Sequence, residues 1–187
     1  MQAATQELRK EHEAILKMLD VAATAARCMD AGEQVRPEIL TGLMEFFRTF
    51  ADKCHHGKEE DQLFPLLEKK GISRERGPIG CMLEEHAQGR ALIRQMVQAA
   101  DEYVHGDVSA GTRWSSAAGG YVDLLRAHIE KENYVLFVMA ERVLTEDEQN
   151  DLFALFEKFE KEQIGEGTHE RLHRLMHELA AQVQGKS

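Results

Sequence analysis

The sequence predicts an all-α protein, an antiparallel up-down four-helix bundle with an appended C-terminal helical hairpin. Only 3 prolines occur among 187 residues, and 43% apolar with 30% charged residues is typical of a soluble globular chain. Apolar residues recur with a helical period over long stretches that also carry many charges. A pattern of His and Glu residues occurs twice, which indicates a duplicated pair of helices.

Each copy of the duplicated unit combines a Glu-His dipeptide, at 11–12 and 85–86, with a later His-x3-Glu pair. A Leu-Phe pair follows both His-x3-Glu pairs at the same distance. Residues four apart lie on one helix face, so an imidazole and a carboxylate at this spacing can bind one metal ion. The six candidate metal ligands are His12, His55, Glu59, His86, His128 and Glu132. Glu85 and Tyr121 are candidates for hydrogen bonds to a ligand imidazole.

Helical periodicity distinguishes two equally spaced pairs in the first copy. At about 100° per residue, His55 lies within the apolar arc of its helix, whereas His56 lies further round towards solvent. Glu59 is nearer to this arc than Glu60. We therefore predict that His55 and Glu59 are ligands and that His56 is not.

Turn and capping residues predict the helix boundaries. Pro37 suits the first turn of a helix, and Gly71 suits a helix end. Thr145 followed by Glu148 resembles a capping box that starts a fifth helix. The four long helices are predicted at about 5–30, 37–69, 78–105 and 112–143.

Residues 1–143 are thus predicted to form the metal-binding bundle, and residues 144–187 a hairpin that packs on it. We expect this hairpin to pack without providing metal ligands, through Leu152, Phe156, Leu172 and Met176. The phenylalanines of the fifth helix suit either a core or a homodimer surface.

Charge and cysteine content exclude several classes of protein. A net charge of −10 argues against nucleic acid or an anionic membrane as a partner. No apolar run is long enough to span a membrane, and the N-terminus lacks the features of a signal peptide. Cys28, Cys54 and Cys81 show no CxxC spacing, which suits a reducing cytoplasm without disulfides. Cys54 faces inward and is predicted to be a core residue.

The motifs resemble those of the hemerythrin-like, HHE cation-binding family over about residues 8–139. The resemblance rests on Glu-His, His-x3-Glu-Glu-x2-Leu-Phe-Pro, Gly-Pro-Ile…Glu-His and His-x3-Glu…Leu-Phe. It implies a non-haem centre of two iron ions with an oxo or hydroxo bridge, with zinc or manganese as substitutes. Carried over by position, the resemblance implies one iron on His12 and His55, the other on His86 and His128, and bridges from Glu59 and Glu132.

Arg90 departs from the pattern of the oxygen-carrying members, which place a further His ligand there. Arginine cannot ligate a metal, so each iron would have two imidazoles and both could keep an open position. This favours redox chemistry on dioxygen, peroxide or nitric oxide. The pattern also resembles the family branch that is linked to repair of iron–sulfur clusters under nitrosative stress. The alternative function is an oxygen or iron sensor, store or carrier without turnover.

Ferritin-like di-iron proteins are the competing fold, and they use Glu-x2-His motifs on two helices. Here both such motifs, which start at Glu166 and Glu170, lie on one terminal helix. The duplicated His-x3-Glu pattern therefore favours the hemerythrin-like fold. His169, His173 and His177 form a row on the same helix, which is more typical of a hydrated or packing face than of a second metal site.

Overall fold

The computed structural model describes residues 4–75, 77–165 and 167–184, and every regular element in these ranges is helical. The all-helical class is therefore confirmed. The α-helices are α1 (Ala4–Asp30), α2 (Pro37–Phe46), α3 (Phe64–Lys69), α4 (Pro78–Val104), α5 (Ala110–Lys131), α6 (Phe137–Val143), α7 (Glu146–Phe159) and α8 (Thr168–Gln184).

π-Helical turns interrupt both segments that carry a His-x3-Glu pair. After α2 the chain continues through π-helices at Phe47–His56 and Glu59–Leu63 into α3. After α5 it continues through a π-helix at Glu132–Leu136 into α6. A π-turn places its hydrogen bonds one residue further along the chain than an α-turn, and such turns are frequent at functional sites. The angular step between neighbouring side chains is therefore smaller there than in an α-helix.

The residues that were predicted to start helices lie at helix starts in the structure. Pro37 and Pro78 lie in the first turns of α2 and α4. Thr145 caps α7, where its hydroxyl accepts from the backbone N–H of Glu148 and its own backbone N–H donates to the Glu148 carboxylate. This confirms the predicted capping box.

The core has two apolar parts with a polar layer between them. The larger part includes Ile15, Phe46 and Trp114, and the smaller part includes Phe64 and Phe137. The layer between them consists of charged and imidazole side chains that are at most 3% exposed: Glu11, His12, His55, His56, Lys58, Glu59, His86, His128 and Glu132. Burial of so many polar groups is unfavourable unless they are paired or bind a metal.

The last two helices contribute to both apolar parts. Leu152 and Phe156 of α7 lie in the smaller part, and Leu172 and Met176 of α8 lie in the larger part. All four side chains are buried, as predicted. Within the described ranges, no helix has both the length and the apolar character that crossing a membrane requires.

Candidate metal centre

The six predicted ligands all lie in the polar layer, where together with His56 they form two groups with donor atoms close enough for one metal ion each. The first group is His12, His55, Glu59 and Glu132, and the second is His56, Glu59, His86 and His128. Glu59 belongs to both groups, so its carboxylate lies between them. The arrangement fits two neighbouring metal positions that share a carboxylate.

His56 is the residue that sequence reasoning misplaced. Its side chain was predicted to face solvent, but His56 is only 3% exposed. Its ring stacks on that of His86, with centroids 3.9 Å apart and an interplanar angle of 17°. The π-helix at Phe47–His56 explains the error, because its smaller angular step lets His55 and His56 both point inward. The adjacent histidines were visible in the sequence, but a constant step of 100° assigned one of them to the surface.

Four of the imidazoles have the same orientation, with Nδ1 bonded to an outer partner and Nε2 directed inward. The partners of Nδ1 are Asn133 for His12 (3.0 Å), Glu11 for His55 (2.8 Å), Glu60 for His86 (2.7 Å) and Glu85 for His128 (2.9 Å). These oxygens accept a hydrogen bond, so each Nδ1 carries the proton and Nε2 keeps its lone pair. A partner on the second nitrogen fixes the tautomer and ring direction of a metal-binding His.

The outer partners follow the internal duplication. Each dipeptide partner orients the imidazole of its own copy, so Glu11 orients His55 and Glu85 orients His128. The residues that follow Glu59 and Glu132 each orient an imidazole of the other copy: Glu60 contacts His86, and Asn133 contacts His12. Glu85 therefore makes the predicted hydrogen bond to the imidazole of a candidate ligand. Tyr121 is buried, but its hydroxyl has no hydrogen-bond partner among the described residues, so of the two candidates the structure supports Glu85.

The electrostatics of the layer keep ligands in the forms that bind metals. Burial lowers the pKa of His55 to about 4 despite its bond to Glu11. Burial and the neighbouring imidazoles of His86 and His128 hold the pKa of His56 well below its usual value. Both rings are therefore neutral at physiological pH, which is the form in which imidazole binds a metal.

The pKa values of the two inner carboxylates, Glu59 and Glu132, are shifted in opposite directions. Burial and the neighbouring Glu132 raise the pKa of Glu59 well above its usual value. Burial also opposes ionisation of Glu132, but His128 and His12 outweigh it and hold the pKa of Glu132 well below its usual value. A cation between the two carboxylates would favour the ionised form of both.

Unpartnered donor atoms show that the layer fits metal ions. Among the described residues, buried polar atoms without a hydrogen bond include Nε2 of His55, both ring nitrogens of His56 and both oxygens of Glu59. Nε2 of His86 lies 3.1 Å from Nε2 of His128, although the other nitrogen of each ring already donates. Two inward lone pairs at this distance repel each other unless they share a cation. Neutral imidazoles and carboxylates without a thiolate suit iron, manganese or zinc.

Arg90 lies beside the site, and its guanidinium turns towards carboxylates. Its Nε donates to Asp52 (2.7 Å) and its Nη2 to Glu60 (2.6 Å), the same Glu60 oxygen that accepts from His86. Arg90 therefore donates a hydrogen bond to Glu60, the carboxylate that orients the candidate ligand His86. The third imidazole near His86 and His128 comes from His56 instead.

The structure also gives the surroundings of Cys54 and of the histidine row on α8. Cys54 is buried, and burial raises the pKa of its thiol to about 12, which agrees with a core residue. The ring of His173 packs edge-on against Phe50, with centroids 5.6 Å apart. His177 is exposed. Glu166 and the side chain of His169, which form the first Glu-x2-His motif, lie outside the described residues.

Comparisons with known proteins point to a cation-binding domain family. The family model of the hemerythrin HHE cation binding domain matches residues 3–140. An uncharacterized protein of Mycobacterium tuberculosis (strain ATCC 25618 / H37Rv) is 24% identical over 163 residues, which cover 87% of this chain and 63% of that protein. The iron-sulfur cluster repair protein YtfE of Salmonella newport (strain SL254) is 32% identical over 111 residues, or 56% of this chain and 50% of that protein.

The chain thus spans between half and two thirds of the length of these relatives. The family match covers all six predicted ligands, His56 and the outer partners of the four imidazoles. The chain belongs to the hemerythrin HHE cation-binding domain family, and its domain carries a metal-binding site.

Proposed function

We propose that the polar layer binds two iron ions and that the protein reacts with dioxygen, peroxide or nitric oxide. The observation that carries this proposal is the pair of donor groups that share Glu59. Two such positions suit a pair of metals bridged by carboxylates, and nitrogen and oxygen donors suit iron. When bound, non-haem iron supplies electron-transfer and oxygen chemistry that amino-acid side chains lack.

The ligands divide between the two positions with His56 included. His12 and His55 hold one ion, and His56, His86 and His128 hold the other. Glu59 and Glu132 bridge the two, since Glu59 belongs to both donor groups and Glu132 lies 3.1 Å from His12 and 3.2 Å from His128. The protein orients these imidazoles through their outer carboxylate and amide partners, and the two apolar parts of the core limit the access of water.

The arrangement of helices that we propose is an antiparallel up-down bundle over residues 1–143, with a hairpin over 144–187. Short connections between long helices favour antiparallel neighbours. The contacts support this division: α5 packs along α1 and α4, while α7 packs against α1 and the π-helix Glu59–Leu63, and α8 packs against α1 and α2.

A role in stress repair is the physiological setting we propose. The support is the likeness to a protein named for iron-sulfur cluster repair.

An oxygen-binding or sensing module without turnover is the second candidate, and His56 favours it. The expectation that both ions keep an open position assumed only two imidazoles each. With His56, the imidazoles divide three to two, which leaves the His12/His55 position more open than its neighbour. Such an asymmetry suits binding of a small molecule at one position.

Stopped-flow spectroscopy tests the proposal and separates the two candidates. Iron-loaded protein is reduced without oxygen and then mixed with dioxygen, peroxide or a nitric oxide donor. Rapid, irreversible oxidation supports turnover, and a stable band that disappears on removal of the gas supports binding. Absence of any iron-dependent spectral change with all three reagents would contradict both candidates.

A further inference from the structure

Each copy of the duplicated unit carries a lysine directly before its bridging glutamate. The ammonium of Lys58 donates to Glu11 (2.5 Å), and that of Lys131 donates to Glu85. In both copies the lysine thus holds the carboxylate that orients a ligand imidazole. Exposure separates them, because the Lys58 side chain is 2% exposed and that of Lys131 is 39% exposed.

The difference in exposure arises because the chain at the end of α7 covers Lys58. Oε2 of Glu160 accepts a second hydrogen bond from Lys58 at 2.9 Å. The ring of Phe159 lies on Gly57, where a Cβ would come within 2.8 Å of its Cζ atom. Two consecutive residues of the C-terminal region therefore cover two consecutive residues of the ligand-bearing helix. Both lie beyond residue 140, where the family match ends.

These contacts form a continuous chain into the metal centre. Glu160 accepts from Lys58, Lys58 donates to Oε1 of Glu11, and Oε2 of Glu11 accepts from Nδ1 of His55 at 2.8 Å. Lys58 and Glu11 are almost fully buried, so their charges are weakly screened. Lys58 is shared by two carboxylates, which reduces its pull on the one that orients His55.

We propose that Glu160 is a positioning residue for the His12/His55 half of the centre, acting through Lys58 and Glu11 on His55. Docking of α7 then sets the hydrogen bond that fixes this imidazole, whereas the matched His128 is oriented through Glu85 and the more exposed Lys131. The inference rests on the metal-binding function proposed above. It makes the C-terminal region part of the centre, although neither donor group that shares Glu59 includes a residue of that region.

Loss of the Glu160 charge has a defined consequence. Without it, Lys58 is neutralised mainly by Glu11, whose carboxylate then accepts more weakly from His55. A weaker partner lowers the basicity of Nε2 and loosens the ring orientation. Loss of a partner behind a ligand lowers metal affinity by about 10–100-fold, and we expect about tenfold here because Glu160 acts through two other residues.

The test is Glu160→Gln, which keeps the shape and removes the charge. Glu162→Gln is the matched control, because Glu162 lies with Glu160 in the π-helix Glu160–Ile164 that follows α7, is 57% exposed and is paired with Lys158. The ring N–H signals of His55 and His128 are followed by nitrogen-15 NMR in the metal-free proteins. Affinity for Co²⁺ is then measured by titration, and circular dichroism checks that each variant is folded.

We expect Glu160→Gln to move the His55 Nδ1–H signal upfield, leave the His128 signal in place and weaken Co²⁺ binding about tenfold. Glu162→Gln should change none of these. A His55 signal that is unchanged in folded Glu160→Gln, or that moves equally in the control, would overturn the role of Glu160. Failure of the wild-type protein to bind Co²⁺ would overturn the metal centre instead, and the metal-free spectra would still decide the role of Glu160.

Discussion

The ring of His56 stacks on the ring of His86 at a centroid distance of 3.9 Å, inside the polar layer of the protein. Neither nitrogen of His56 has a hydrogen-bond partner in the part of the chain that the structure describes, and Nδ1 lies 3.6 Å from Asp52. A buried imidazole without partners is unfavourable in the metal-free protein. The relationship is explained if His56 binds the same metal ion as His86.

We predict that His56→Ala weakens metal binding at the His86/His128 position by more than about a hundredfold, since loss of a ligand exceeds the effect of losing its partner. The change in metal content per chain checks this after dialysis at a fixed free-metal concentration. His105→Ala is the control, because the side chain of His105 is 74% exposed. Equal metal content in the two variants would show that His56 is not a ligand.

The error at His56 defines what the sequence could predict. Local spacing and periodicity sufficed to predict the helical class, the burial of the six candidate ligands and the capping box at Thr145. The π-helices could not be predicted, since no residue type or spacing in 47–63 indicates a change in the angular step between side chains. The outer partners Glu11 and Glu60 stand next to ligands in the sequence, but their targets lie on other helices. Contacts from Glu160 depend on how α7 docks, which periodicity does not fix.

The two matched lysines should differ strongly in their effect on stability. We predict that Lys58→Met lowers the free energy of unfolding by about 3–5 kcal/mol, because it leaves the buried carboxylate of Glu11 without its cation. Lys131→Met should cost at most about 1 kcal/mol, as expected for a partly exposed ion pair. Urea unfolding of the metal-free proteins, followed by circular dichroism, measures both values. Similar losses in the two variants would contradict the difference in burial.

The C-terminal helices should stabilise the protein through specific side chains. Phe156→Ala removes a ring that is 1% exposed, and we predict a loss of about 3–5 kcal/mol in the free energy of unfolding. Its neighbour Leu155 is 45% exposed, so Leu155→Ala should change stability by no more than about 0.5 kcal/mol. Both variants should bind as much metal as the wild type at a temperature where they are folded. A loss of metal from folded Phe156→Ala would contradict a purely packing role for this residue.

Gly57 should be required for the approach of Phe159. Gly57→Ala gains up to about 1 kcal/mol of helix propensity, but it places a Cβ 2.8 Å from Cζ of Phe159. Overpacking costs about 1–3 kcal/mol, so we expect a net loss of stability in thermal unfolding. Gly119→Ala is the control, because a Cβ there meets no atom within 4 Å and should stabilise α5. A stability gain as large as that of Gly119→Ala would show that Phe159 does not press on Gly57.

The measurement that tests the two-metal centre most directly is the iron content of the wild-type protein, purified without chelators and recorded with its ultraviolet–visible spectrum. Donor groups that share Glu59 predict close to two iron ions per chain and absorption from a bridged iron pair. A folded protein that binds no more than one metal ion per chain, even after reconstitution with excess iron, would contradict the account.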